Sequence, residues 1–134
     1  MTASVTPIHL GTARLALMRV DESTDETAAR VRVTLAWDGD EHAGTSDGSP
    51  SDRRRPALVA AATLDAVAFL GGGFTLVDTA TTRVGGADVA LVAVDDLEDG
   101  RRLFGTAQME ADNRQVAFAR ATLDAINRIL PHQA

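Results

Sequence analysis

The amino-acid sequence predicts an α+β fold made by duplication: two βββα units forming a mainly antiparallel sheet with both helices on one face. Apolar side chains alternate with period two in groups of three segments, and each group ends in an Ala-rich helical stretch. The letters themselves also repeat. Ala62-Thr63-Leu64-Asp65-Ala66 returns as Ala121-Thr122-Leu123-Asp124-Ala125, 59 residues on, and Gly44-Thr45 returns as Gly105-Thr106, 61 residues on. These matches fall at equivalent points of two units, roughly residues 8–70 and 74–130, within a single domain spanning 1–134.

The first strand is expected over Ile8 to Val20, with Leu15 and Leu17 on one face and Arg14, Ala16 and Met18 on the other. Asp21 to Thr27 holds no apolar residue and reads as an exposed loop. From Arg30 the alternation is strict: Val31, Val33, Leu35 and Trp37 share a face, and Arg30, Arg32 and Thr34 the other. Asp38-Gly39 suits the positive backbone angles of a tight hairpin, which returns Glu41 to Thr45 as a short partner strand. Ser46 to Arg55, rich in Gly, Ser, Asp and Pro, reads as a loop, and Pro56 to Leu70 as a helix. Gly71-Gly72-Gly73 stops that helix, since glycine costs about 1 kcal/mol relative to alanine in a helix interior.

The second unit follows the same order. Phe74 to Arg83 reads as a strand, Gly85-Gly86 as a turn, Asp88 to Val94 as a strand, and Asp99-Gly100 as a hairpin turn into Arg101 to Met109. Asp112 with Gln115 resembles a capping box, ahead of an apolar stripe of Val116, Ala119, Leu123, Ile126 and Leu130 that Pro131 ends. Leu64 and Leu123 are expected in equivalent core positions. Asn127 borders the stripe, where it suits a hydrogen bond to the neighbouring unit or to a ligand. Val89 to Val94 is apolar at every position, so one of its faces is left over once helices cover the other; either small Ala side chains make that face harmless in water or it packs against another subunit, and a homodimer is expected.

Composition narrows the chemistry. The 134 residues are 45% hydrophobic and carry a formal charge of −6, which argues against a nucleic-acid partner. Aromatic residues are only 4%, too few to interleave with Arg53-Arg54-Arg55, which reads as a solvated loop rather than a phosphate site. There is no Cys and no Lys, so thiol nucleophiles, disulfides, Schiff-base chemistry and the Walker lysine are excluded. His9, His42 and His132 have no Ser at a recognisable motif spacing, and no catalytic residue is assigned. Asp38, Asp40, Glu41 and His42 span a hairpin turn, where acidic residues are expected without a metal. No cofactor or metal is expected. No basic region followed by an apolar run opens the chain, and no segment reaches the roughly 18 apolar residues of a membrane span. A cytoplasmic location without membrane contact is expected.

Three pieces of the sequence together resemble the C-terminal regulatory domain of 2-isopropylmalate synthase. They are Gly44-Thr45-Ser46-Asp47-Gly48-Ser49-Pro50 ahead of an Ala-rich helix, Leu76-Val77-Asp78 with Gly86-Ala87-Asp88, and Ala121 through Arg128. The resemblance runs from about Arg30 to Leu130. It implies a duplicated βββα unit that dimerises and binds leucine near the subunit interface. Where the family has Gly-x-Gly-Asn-Gly-Pro, Ser46 and Asp47 replace a Gly and the Asn, and Ser49 intrudes before Pro50. The family's aromatic residues after the Leu-Asp step are here Thr79, Ala80 and Thr81. A catalytic barrel of about 250 residues has no room in this chain.

The expected function is therefore a non-catalytic small-molecule-binding or regulatory module acting as a homodimer. The alternative is a structural or protein-interaction dimer with no small-molecule ligand. In the first case the ligand is expected at Gly44, Thr45, Ser46, Asp47 and Gly48, bordered by Asp78 and Asp88. That segment reads as joining a sheet edge to a helix start, where free N–H groups and the helix dipole favour an anion. Asp47 repels a bare anion, so an amino acid, which carries both charges, fits better.

Overall fold

The computed structural model describes residues 2–4 (as backbone), 15–71, 73–111 and 113–127. His9, Arg14, Asp112, Arg128, Leu130, Pro131 and His132 lie outside the described residues, as does the expected first strand before Leu15. The element order is β1 (Thr2–Ser4), β2 (Ala16–Thr24), β3 (Ala29–Trp37), β4 (Asp40–Gly48), α1 (Arg55–Ala66), β5 (Phe74–Val84), β6 (Ala87–Asp96), β7 (Arg101–Gln108) and α2 (Val116–Asn127), with a 3-10 turn at Ala68–Leu70 after α1. The fold is α+β, and βββα occurs twice in that order. The antiparallel strands divide between the units, β1-β2-β3-β4 in one sheet and β5-β6-β7 in the other.

Strand pairing follows the duplication rung by rung. A bulge interrupts β2 between Leu17 and Arg19, and another interrupts β5 between Leu76 and Asp78, again 59 residues on. Each bulge shifts the alternation, so Leu17 is followed inward by Val20 rather than Arg19. Val33 pairs with Gly44, and Val92 with Gly105. The change in spacing from 59 to 61 arises in the hairpins. Asp38 and Gly39 make a two-residue turn with φ of 50° and 84°, whereas Leu97 to Gly100 make a four-residue turn.

The repeated letters encode the docking of helix on sheet. A Cβ on Gly44 would overlap the backbone of Ala62 and Ala66, and one on Gly105 the backbone of Ala121 and Ala125. Only a residue without a side chain lets helix and strand approach so closely. Thr63 and Thr122, both fully buried, return their hydroxyls to the carbonyls of Val59 and Phe118 at 2.8 and 2.7 Å. Asp65 and Asp124 accept the backbone N–H of Thr45 and Thr106 at 2.9 and 3.0 Å. Each carboxylate thus satisfies a donor on the outer edge of its sheet, one that a stray strand would otherwise pair with.

One buried cluster draws on both units, with Val33, Leu35 and Val59 from the first and Val92, Val94, Phe118 and Ile126 from the second. Leu123 lies within it, and Leu64 packs against it half-buried. Ten of the twelve residues of α2 are buried, against five in α1. Asn127 ties the units together: its Oδ1 accepts the Leu15 N–H at 3.3 Å and its Nδ2 donates to the Leu15 carbonyl at 3.4 Å.

Three local expectations are corrected. β2 runs through Asp21 to Thr24, and Glu22 points inward onto Arg55 at 3.0 Å, so the turn holds only Asp25 to Ala28. Polar residues extend the strand because β3 continues to pair with them. The expected loop from Ser46 is strand as far as Gly48, which pairs with Ala29. The last helix begins at Val116, so Gln115 precedes it, and the Gln115 Oε1 is buried without a hydrogen-bond partner among the described residues.

Candidate functional site

Strand β4 uses most of the expected binding segment for its own structure. Gly44 is buried against α1, and the Thr45 N–H is taken by Asp65. The Ser46 hydroxyl donates to the Leu58 carbonyl at 2.5 Å, and Gly48 leaves room for the Leu58 side chain. Asp47 alone turns a charged group to solvent, at 59% side-chain exposure. Asp78 and Asp88 lie on the other sheet and are not brought together. Asp78 shares a rung with Ala93, whereas Asp88 faces Arg83 five rungs along, on the opposite side of the sheet. Asp78 accepts the Thr79 N–H at 2.8 Å, and Asp88 is held by Arg114 at 3.1 Å and Arg83 at 3.6 Å.

An open depression of about 310 Å³ lies beside Asp47, lined by Ser23 and Thr24 at the end of β2, by Asp25 and Ala28 of the turn that follows, and by Arg30. The turn is built by Asp25, whose Oδ1 accepts the N–H of Thr27 and of Ala28, each at 2.8 Å, and the Thr27 hydroxyl at 3.0 Å. These bonds, the Thr27 N–H foremost, hold the Asp25 carboxyl below the usual carboxylate range. Across the depression the Arg30 Nε donates to the Asp47 Oδ1 at 2.7 Å, and this bond raises the Arg30 pKa further. The Arg30 terminal nitrogens and the Asp47 Oδ2 have no hydrogen-bond partner among the described residues. The depression therefore sets an unused guanidinium edge beside an unused carboxylate oxygen, a geometry complementary to a small molecule with both charges.

Arg30 and Asp25 were missed as candidates, yet the sequence held a signal for one of them. With Asp38-Gly39 as the hairpin turn, counting back along both strands sets Arg30 opposite Asp47. An aromatic cluster was missed as well. His42 stacks on Phe69, with ring centroids 3.5 Å apart, and Trp37 meets Phe69 edge-on at 6.4 Å. Phe69 arrives on the 3-10 turn after α1, which no period in the sequence announces.

Among the described residues no group of three or more His, Asp or Glu is gathered for a metal ion. No helix among them is long and apolar enough to cross a membrane. In comparisons with known proteins, the chain matches no family model and no curated protein sequence.

Proposed function

We propose that this chain is a non-catalytic binding or regulatory module that acts as a homodimer and takes a small zwitterion, such as an amino acid, in the depression between Arg30 and Asp47. The observation that carries the reading is the pair of unsatisfied groups there. The Arg30 terminal nitrogens suit a carboxylate and the Asp47 Oδ2 suits an ammonium, so both charges of one ligand are met. The resemblance to the regulatory domain of 2-isopropylmalate synthase supports the same class, because in that family the duplicated βββα unit dimerises and binds a small amino acid.

Titration calorimetry with a panel of amino acids at millimolar concentration tests the ligand. Binding should be weakened at least about tenfold by Asp47→Asn and by Arg30→Ala, each removing one charge-assisted bond. A second reading, an assembly component without a small-molecule ligand, is favoured by one observation: Arg30 and Asp47 are 70% and 59% exposed, so water competes for both. Absence of heat with every amino acid selects that second reading, whereas affinities indifferent to both substitutions overturn the depression as the binding place.

A further inference from the structure

We infer that the outer face of the sheet β5-β6-β7 is the surface through which two copies of this chain associate. The inference rests on the homodimer reading above and adds to it the face, the side chains and the symmetry.

The helices cover only one side of this sheet. Ala90, Val92 and Val94 of β6 point inward and are buried. Val89, Leu91 and Ala93 point outward and are half-buried. The outward rungs are Thr82–Val89–Gln108, Ala80–Leu91–Thr106 and Asp78–Ala93–Phe104. Phe104 is 62% exposed, and Val84, at the end of the same face beside Ala87, is 63% exposed. A run of apolar side chains across three strands is what a solvated sheet face avoids.

The fold does not require this. In the first sheet the residues at the same outward positions of β3 are Arg30 and Arg32, both exposed, and Thr34, which is buried, 59 residues before Val89, Leu91 and Ala93. One backbone plan thus carries a charged outer face and an apolar one. The occupant of the apolar face must itself be apolar at the centre and tolerate charge at one end, where Asp95 is held by Arg102 at 2.8 Å and Asp78 by the Thr79 N–H. A second copy of the same face meets both conditions. A two-fold axis near Leu91 lays apolar centre on apolar centre, and at the rim Asp95 is already paired with Arg102 within each chain.

The size is also adequate. Three strands about 4.8 Å apart, each with about ten residues rising about 3.3 Å apiece, present roughly 500 Å² per copy. Two faces bury about 1,000 Å², the lower bound for a specific interface, and antiparallel sheets pack in this way at about 10 Å separation.

Light scattering on the full chain at tens of micromolar, with Phe104→Asp, Leu91→Asp and Arg32→Ser, tests the inference. The unaltered chain should have the mass of two copies. Phe104→Asp should raise the dimer dissociation constant at least about thirtyfold, because losing a large apolar contact and burying a charge both oppose association. Leu91→Asp should do the same, and if it fails to fold, Phe104→Asp decides alone, since Phe104 is largely exposed in the single chain. Arg32→Ser should leave the mass at two copies. A single-copy mass for the unaltered chain overturns both the homodimer and this face, leaving another protein as the occupant. A dimer that survives both Phe104→Asp and Leu91→Asp, or that Arg32→Ser dissociates, overturns the face and leaves the homodimer standing.

Discussion

On the central strands of the two sheets, the inward residues correspond as Val31 to Ala90, Val33 to Val92 and Leu35 to Val94, and all six are buried. The outward residues of the same strands correspond as Arg30 to Val89, Arg32 to Leu91 and Thr34 to Ala93. The inward set has been held to small and medium aliphatics because each meets a helix at fixed distance, set by Gly44 in one unit and Gly105 in the other. The outward set is free of that constraint and reflects only what each face meets. The first face carries two ion pairs, the exposed Arg30 with Asp47 and the half-buried Arg19 with Asp21. The second carries none at its centre. Duplication therefore preserved the packing and let the surfaces diverge, and divergence is where function is to be sought.

The strongest way to break the claim of shared packing is to fill the glycines. Gly105→Ala places a methyl group onto the Ala121 carbonyl, and Gly44→Ala places one onto the Ala62 carbonyl, so helix and strand must part in either case. Each should cost about 3 kcal/mol or more, at the upper end for overpacking, and chemical denaturation should show both variants unfolded or nearly so. One tolerated and one lethal substitution would mean that the two units dock their helices differently.

A second test sharpens the comparison, because the repeated leucines are not equally buried. Leu123 is 5% exposed, whereas Leu64 only packs against the core from its margin. Leu123→Ala should cost about 3 kcal/mol and Leu64→Ala about 1 kcal/mol by urea denaturation. The cause is the depth of α2, which the rest of the molecule surrounds more completely than α1. Equal costs would show that the helices are equally central.

Much of this plan was legible in the letters. The order of elements after β1, the turns at Asp38-Gly39, Gly85-Gly86 and Asp99-Gly100 and the internal repeat follow from period, turn chemistry and self-similarity, all of them local signals. Three things were not. The strand character of Asp21 to Thr24 and of Ser46 to Gly48 is imposed by pairing with β3, and a polar composition hides it. The splitting of the strands into two sheets is decided by tertiary contacts. Of the expected site, Asp47 lines the depression beside Arg30, while Gly44, Thr45 and Ser46 serve the packing of α1, because a Gly-Thr-Ser run that reads as a ligand loop is equally what close helix–strand docking needs.

Smaller effects separate the edges of the sheets. Asp65→Ala and Asp124→Ala each leave an edge N–H without its carboxylate and should cost about 1 kcal/mol apiece. The two values should agree within about 0.5 kcal/mol if the edges are equivalent, as paired denaturation curves would reveal.

The smallest effect lies in the acid limb, where two exposed carboxyls compare a backbone cause with an ionic one. Asp25, in the first unit, is held below its ordinary value of 3.8 chiefly by the Thr27 and Ala28 N–H groups. Asp95, in the second, is held below the same value chiefly by its hydrogen bond from Arg102, with the charge of Arg102 adding to it. Both folded pKa values are depressed, so each contribution is present above pH 3.8 and is lost as pH falls through the lower folded value. Salt separates the two. At about 1 M ionic strength the Debye length shrinks to about 3 Å, so the attraction of Arg102 is screened while uncharged N–H donors keep their bonds. Carboxyl NMR titration should then show Asp95 moving up toward 3.8 and Asp25 staying low. If Asp95 instead resists salt as Asp25 does, the direct hydrogen bond from Arg102 holds the carboxyl down and the charge of Arg102 adds little.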